Sequence, residues 1–168
     1  MRLVRDLERS LREAKGRKGF RVIAYSFQRD HVHLLVEAED TRALARGMKS
    51  IGARIARAVR RAFGGRGPVL TERYHQRVVR SPREVRNALA YVILNVRKHA
   101  AALGLWLLQE VASVDPASSR RWFAGWSRAL PPCPDEPAVA TPRTWLLRVG
   151  WQRHGLIDPS EIPGARRR

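Results

Sequence analysis

Two histidines one residue apart, His31 and His33, sit inside the apolar run Asp30-His31-Val32-His33-Leu34-Leu35-Val36. Side chains on a strand alternate between faces, so His31 and His33 point one way while Val32, Leu34 and Val36 point the other. That is the geometry of a two-nitrogen clamp for a divalent ion, and equally of two strand histidines satisfied by hydrogen bonds alone. Two imidazoles leave several coordination positions open, so an ion there needs oxygen ligands from a side-chain amide and from a substrate phosphate. Downstream, Tyr91 and Asn95 lie one helical turn apart on a polar stripe that also holds Glu84, Asn87 and Lys98. A helix laid across the histidine face would present phenol and amide together, with Asn95 as the candidate third ligand. A phenol beside a metal-polarised phosphate can attack phosphorus, because the ion stabilises charge developing on the phosphoryl oxygens.

Other assignments compete. Tyr74, between Arg73 and His75 in an extended segment, ranks behind Tyr91 as nucleophile. A plain helix-surface tyrosine is the alternative for Tyr91, and the pairing with Asn95 off the apolar stripe weighs against it. A ribonuclease using His31 and His33 as acid and base has no supporting motif. His75, His99 and His154 share no metal spacing and read as surface or packing residues.

The elements that must position these groups are legible in order. Arg2 to Lys15 reads as a helix with Leu3, Leu7 and Leu11 on one stripe, stopped by Gly16-Arg17-Lys18-Gly19. Phe20 to Gln28 is rich in β-formers, and Arg29-Asp30 is a two-residue gap before the histidine run, which predicts an antiparallel hairpin. Asp40 or Thr41 caps a long helix with Leu44, Met48, Ile51, Ile55, Val59 and Phe63 at helical spacing, ended by Gly64-Gly65. Its other faces carry Arg42, Arg46, Lys49, Arg54, Arg57, Arg60 and Arg61 with almost no acidic partner, which favours phosphate contact over a merely solvated face. Arg73, Arg77 and Lys98 complete the candidate phosphate contacts.

Val69 to Arg80 reads as an extended segment, a strand with irregular margins. Ser81-Pro82-Arg83-Glu84 is a helix start, and the helix is expected to run from Pro82 to about Ala101 with Val85, Ala88, Leu89, Val92 and Val96 on its apolar stripe. From Gln109 to Thr141 the pattern dissolves into a connector with Trp122, Phe123 and Trp126, aromatics that pack on the core or stack on bases, packing being favoured. Thr141-Pro142-Arg143-Thr144 opens a last short helix carrying Trp145, Leu146, Leu147, Val149 and Trp151, closed by Gly155, and Arg166-Arg167-Arg168 reads as a frayed basic tail.

Composition bounds the partners. The 168 residues carry 33 Lys+Arg against 15 Asp+Glu, a net charge of +18 that a polyanion, nucleic acid first, explains most simply. A GC-rich genome would explain the preference for Arg over Lys but not the net excess. Cys133, the single cysteine, excludes an internal disulfide and a multi-cysteine zinc site. No apolar run reaches membrane-spanning length and Met1-Arg2-Leu3-Val4-Arg5-Asp6 is not a signal peptide, so the expected location is the cytoplasm, with no membrane partner.

Together the two motifs resemble those of the single-tyrosine HUH transposases, specifically the REP-associated tyrosine transposases and their insertion-sequence relatives. Asp30-His31-Val32-His33-Leu34-Leu35-Val36 stands where that family typically has Asn-His-hydrophobic-His-hydrophobic, and Tyr91-Val92-Ile93-Leu94-Asn95 is similar to its Tyr-Ile-x-x-Asn helix segment. The resemblance covers about residues 1 to 105, which divides the chain into a catalytic domain, 1–105, and a Trp- and Pro-containing extension, 106–168. It implies an α+β, ferredoxin-like antiparallel sheet with helices on it, a C-terminal helical and irregular extension, and single-stranded or hairpin DNA as substrate. It further implies a divalent ion, Mg²⁺ or Mn²⁺, held by His31, His33 and Asn95, and attack by Tyr91 to give a 5′-phosphotyrosine link and a free 3′-hydroxyl. The family's active unit is commonly a homodimer and in some members a monomer. Two departures stand out: the family core begins with a strand before the first helix, which is expected to be missing here, and the usual Asn-Pro after the tyrosine is Asn95-Val96. A DNA- or RNA-binding module without catalysis is the competing class, since phosphate contacts supply affinity without chemistry.

Overall fold

A hairpin with one extra residue in its first strand sets the layering of the molecule. The structure, a computed structural model, describes residues 2–102 and 115–164, with side chains over 2–98 and 115–164. It is α+β: α1 (Arg2–Ala14), β1 (Phe20–Phe27), β2 (Val32–Ala38), α2 (Thr41–Phe63), α3 (Pro82–Ile93), α4 (Asn95–Ala102) and a short α5 (Trp145–Arg148), with 3₁₀ turns at Ser119–Trp122 and Gly150–His154. The antiparallel β1–β2 pair is the sheet among the described residues. Its register steps from Val22 opposite Val36 to Ala24 opposite Leu35, so Ile23 is the extra residue of a bulge. The bulge lets Ile23 and Ala24 face one side together, while Phe20, Val22, Tyr25 and Phe27 face the other.

Each side therefore has its own core. On one, Phe20, Val22, Tyr25 and Phe27, with Val32, Leu34 and Val36 of β2, pack against Leu7 and Leu11 of α1 and Ile51, Ile55 and Ala58 of α2. Gly47 makes the close approach of α2 possible, since a Cβ there would stand 2.2 Å from the Phe20 ring. Asp40 accepts from the Ala43 N–H at 2.6 Å and Gly64, at φ 70°, ends the helix as its sequence predicts. Phe63 departs from expectation: one residue before the stop it has run past the core and is exposed. On the other side, Ile23, Ala24 and Leu35 pack against Val85, Leu89, Val92 and Ile93 of α3 and against Leu147, Trp151 and Ile157. The tryptophan-containing stretch packs rather than projecting: Trp122 joins the first core, Phe123 and Trp126 the second.

Two expected elements differ. Residues 69–80 form no strand, and most of the segment is exposed. Neither of its faces is apolar: Leu70, Tyr74 and Val78 alternate with Glu72 and Gln76, and Val69 and Val79 with Thr71, Arg73, His75 and Arg77, so pairing it into a sheet would bury charge. The helix expected to run unbroken from Pro82 is interrupted at Leu94, whose φ −115° and ψ 18° separate α3 from α4. Val92, Ile93, Leu94 and Asn95 are all buried, and a straight helix buries only one stripe, so enclosing four successive residues requires the axis to turn.

The C-terminal part covers the outer edge of β1. Ala117 C=O accepts from Phe27 N–H at 2.8 Å, Ser119 Oγ accepts from Tyr25 N–H at 2.9 Å, and Ala140 N–H donates to Val22 C=O at 2.8 Å. Edge groups that would otherwise stand open are met by residues about a hundred positions later. The expected domain boundary near residue 105 and the basic tail at 166–168 lie outside the described residues.

Candidate functional site

His33 is built into β2 with its side chain on the α3 side, opposite to Val32 and Leu34. His31 lies one residue before the strand, in the turn that the Gln28 N–H closes on the His31 C=O at 2.9 Å, rather than within the strand as expected. The short Arg29-Asp30 turn still leaves it on the same face. The two Nε2 atoms are 3.0 Å apart and the rings meet edge to face at 4.6 Å between centroids.

Tyr91 reaches them from α3. Its ring stands at 4.9 Å from that of His33, tilted 76°, and the Lys98 Nζ lies 4.5 Å above the Tyr91 ring. The helix is aimed at the histidine face by its apolar stripe and by its start: Ser81 and Glu84 exchange side-chain and backbone hydrogen bonds with Pro82 in the first turn, the capping box read from sequence. His31, His33, Tyr91 and Lys98 thus form one cluster contributed by β2, its turn, α3 and α4, with His31 exposed and the other three half-buried.

A residue that spacing alone did not single out completes the histidine pair. Asp30 Oδ1 is 2.7 Å from His31 Nδ1, and this hydrogen bond, with the backbone N–H of Asp30 itself, holds the Asp30 carboxyl below the usual carboxylate range. An ionised carboxylate only accepts, so the hydrogen of this contact lies on His31 Nδ1, and the opposite nitrogen, Nε2, is the one that faces His33. The signal was the Asp-His adjacency itself.

The donor set fits a divalent ion. Two ligands in cis positions about 2.1 Å from an octahedral ion are separated by about 3.0 Å, and the Nε2 atoms have that spacing. No group of three or more His, Cys, Asp or Glu side chains arranged for a metal occurs among the described residues, so further ligands would be amide, phosphate or water oxygens. Asn95 is fully buried, with Oδ1 and Nδ2 both lacking a hydrogen-bond partner, an orphaned amide of the kind that a bound group satisfies. It follows the break at Leu94, so the continuous-helix spacing that linked it to Tyr91 does not hold.

The remaining sequence candidates are dispersed. Arg42, Arg46, Lys49, Arg54 and Arg57 belong to α2, on the far side of the sheet from the histidines. Four of them, with Arg17, line a cavity of about 480 Å³ there, and Arg54 is paired with Glu13 at 2.6 Å. Arg73 and Tyr74 are exposed on the irregular segment, and Arg77 pairs with Glu84 at 3.3 Å. His75 is exposed beside Glu72, 4.0 Å from its carboxylate. No described helix is long and apolar enough to cross a membrane.

Comparison with curated proteins and with solved structures finds no match. Residues 2–96 match the family described as "Transposase IS200 like".

Proposed function

Because the chain belongs to the IS200-like transposase family, we propose that it cuts and rejoins single-stranded DNA through a covalent link to Tyr91. A transposase role with DNA as partner follows from the family; the strand chemistry is read from the cluster. The observation that carries it is the meeting of Tyr91 with His33, and of His33 with His31, at 4.9 and 4.6 Å between ring centroids.

His31 and His33 would hold a divalent ion through Nε2, with Asn95 as the further candidate. The ion, Mg²⁺ or Mn²⁺, supplies neutralisation of charge on the phosphoryl oxygens. The chain's own residues do the rest. Tyr91 Oη forms a bond to phosphorus as its proton leaves to solvent, the bond from phosphorus to the 3′ oxygen breaks, and that oxygen takes up a proton. The products are a 5′-phosphotyrosine and a free 3′-hydroxyl, and because one phosphodiester replaces another, no nucleotide is consumed. Lys98, above the Tyr91 ring, offers a cation to the strand's phosphates as it enters. Asp30 fixes the His31 ring.

A hairpin oligonucleotide with a single-stranded flank, incubated with the protein and Mg²⁺ or Mn²⁺, should yield a covalent adduct on the 5′ phosphate of the fragment released 3′ to the cut, the other fragment ending in a free 3′-hydroxyl. Tyr91→Phe should abolish the adduct and leave binding intact; an unchanged adduct would move the nucleophile elsewhere. The enclosure of Asn95 behind the Leu94 break favours a second reading, a nucleic-acid-binding protein without catalysis, which predicts binding and no adduct from the wild type.

A further inference from the structure

Among the described tryptophans, Trp122, Trp126 and Trp151 are packed into the two cores, whereas Trp145 is 49% exposed at the start of α5. Its mounting is built. The Glu37 carboxylate, buried at the end of β2, accepts from Arg143 N–H at 2.8 Å, Thr144 N–H at 2.8 Å and Thr144 Oγ1 at 2.7 Å, which pins the residues just before Trp145 to the sheet. Gly150 lets the backbone lie against the indole, since a Cβ there would be 2.6 Å from Cζ3. The Arg153 guanidinium stands over the ring at 4.9 Å. Arg143 and Arg148 are exposed beside it, and none of these three arginines forms an ion pair with an acidic residue among the described residues. Here the half-exposed indole stands among cations that no acidic residue neutralises among the described residues.

Glu37 shares a strand face with His33, four residues further along β2, which is about 13 Å at about 3.3 Å per residue. The indole mount and the His–Tyr cluster therefore lie on the same side of the sheet, at opposite ends of one strand. We propose that Trp145, with Arg153 over it and Arg143 and Arg148 beside it, is a base-stacking platform for the single-stranded DNA whose phosphate is presented to Tyr91, a reading that rests on the proposed function for the identity of the strand. Aromatic faces accept any base, and the surrounding guanidiniums take the backbone phosphates, so the platform recognises single-strandedness rather than sequence. Duplex DNA, whose bases are already stacked, offers the cations its phosphates but the indole nothing.

The test is equilibrium binding in a Tyr91→Phe background, which removes cutting from the measurement, using fluorescein-labelled oligothymidylate and a blunt duplex of equal length. Trp145→Leu retains apolar packing against Gly150 but has no stacking face; it should weaken oligothymidylate binding by about 5- to 150-fold and leave duplex binding unchanged, while Trp145→Phe retains most of the affinity. Wild-type affinity for oligothymidylate in Trp145→Leu, or an equal loss for both DNAs, overturns the proposal. Should Trp145→Leu lose its folded circular dichroism, photo-crosslinking of 5-iododeoxyuridine oligomers to the unsubstituted chain decides: a crosslink mapped to Trp145 supports the platform and crosslinks only elsewhere reject it. A protein that stacks DNA on Trp145 but forms no adduct retains this inference and loses the nuclease reading, and the reverse pattern does the opposite.

Discussion

At the scale of single residues, the histidine pair acts through its neighbours. In the proposed metal site an imidazole would be held in one tautomer by what its other nitrogen donates to, and the 2.7 Å contact from His31 Nδ1 to Asp30 would supply that hold. Asp30→Ala should weaken Mn²⁺ binding by about 10- to 100-fold, read by the electron paramagnetic resonance of free Mn²⁺, with Asp30→Asn retaining part of the affinity through its acceptor oxygen. No change in either variant would remove Asp30 from the site. The faces of His33 and Tyr91 were legible because each depends on short-range periodicity, two for a strand and 3.6 for a helix, whereas His31, one residue before β2, reaches the same face through the turn instead of the strand alternation. The meeting of Tyr91 with His33 needed only that two apolar faces stack. Asn95 was not legible in the same way: its place depends on a turn of the helix axis at Leu94, which follows from burying four successive side chains and so from packing that local spacing does not encode.

Among the elements, α3 bears the tyrosine and its first turn decides its aim. The Glu84 carboxyl is held below its ordinary 4.5 by the Arg80 N–H first and then by Arg77, with the Ser81 hydrogen bonds adding to these. A lowered folded value means that the carboxylate's contribution to stability is complete above about pH 4.5 and is lost as pH falls through that lowered value. Urea unfolding should show the gap between wild type and Glu84→Gln constant above about pH 4.5 and narrowing as pH falls below it; a gap that does not narrow on acidification would mean that the amide costs something other than the cap. Ser81→Ala should cost about 1 kcal/mol at neutral pH. The cap, the hairpin and the Asp40-started α2 were all readable because caps and turns are local chemistry. Residues 69–80 misled because Val69, Leu70, Val78 and Val79 suggest a strand, while the charged residues between them leave neither face fit to be buried.

For the molecule as a whole, the region after residue 115 is part of the core that seats α3. Arg86, 5% exposed in its side chain, donates to both Glu161 oxygens at 2.7 and 2.8 Å and to the carbonyls of Gly155 and Leu156, tying α3 to the C-terminal turns. Its guanidinium is raised above its ordinary value by that carboxylate, against the opposing effect of burial. Arg86→Ala removes the guanidinium that holds the Glu161 carboxylate and the carbonyls of Gly155 and Leu156, and should destabilise the fold by about 3 to 5 kcal/mol in urea unfolding; a loss below about 1 kcal/mol would show that the two parts are held by apolar packing alone. Sequence could not foresee this tie, because a 75-residue separation leaves no periodic trace.

The hydrogen bonds that join Val22 with Ala140, Tyr25 with Ser119 and Phe27 with Ala117 also set an order of events during synthesis. Translation at about 5–20 residues per second leaves on the order of ten seconds between the emergence of β1 and that of the residues that close it. Through that interval the nascent chain exposes a hydrophobic hairpin with an open margin, the form most prone to pair with another chain. Chaperone supply and ribosome spacing, more than the stability of the finished fold, would then set how much of this protein a cell recovers.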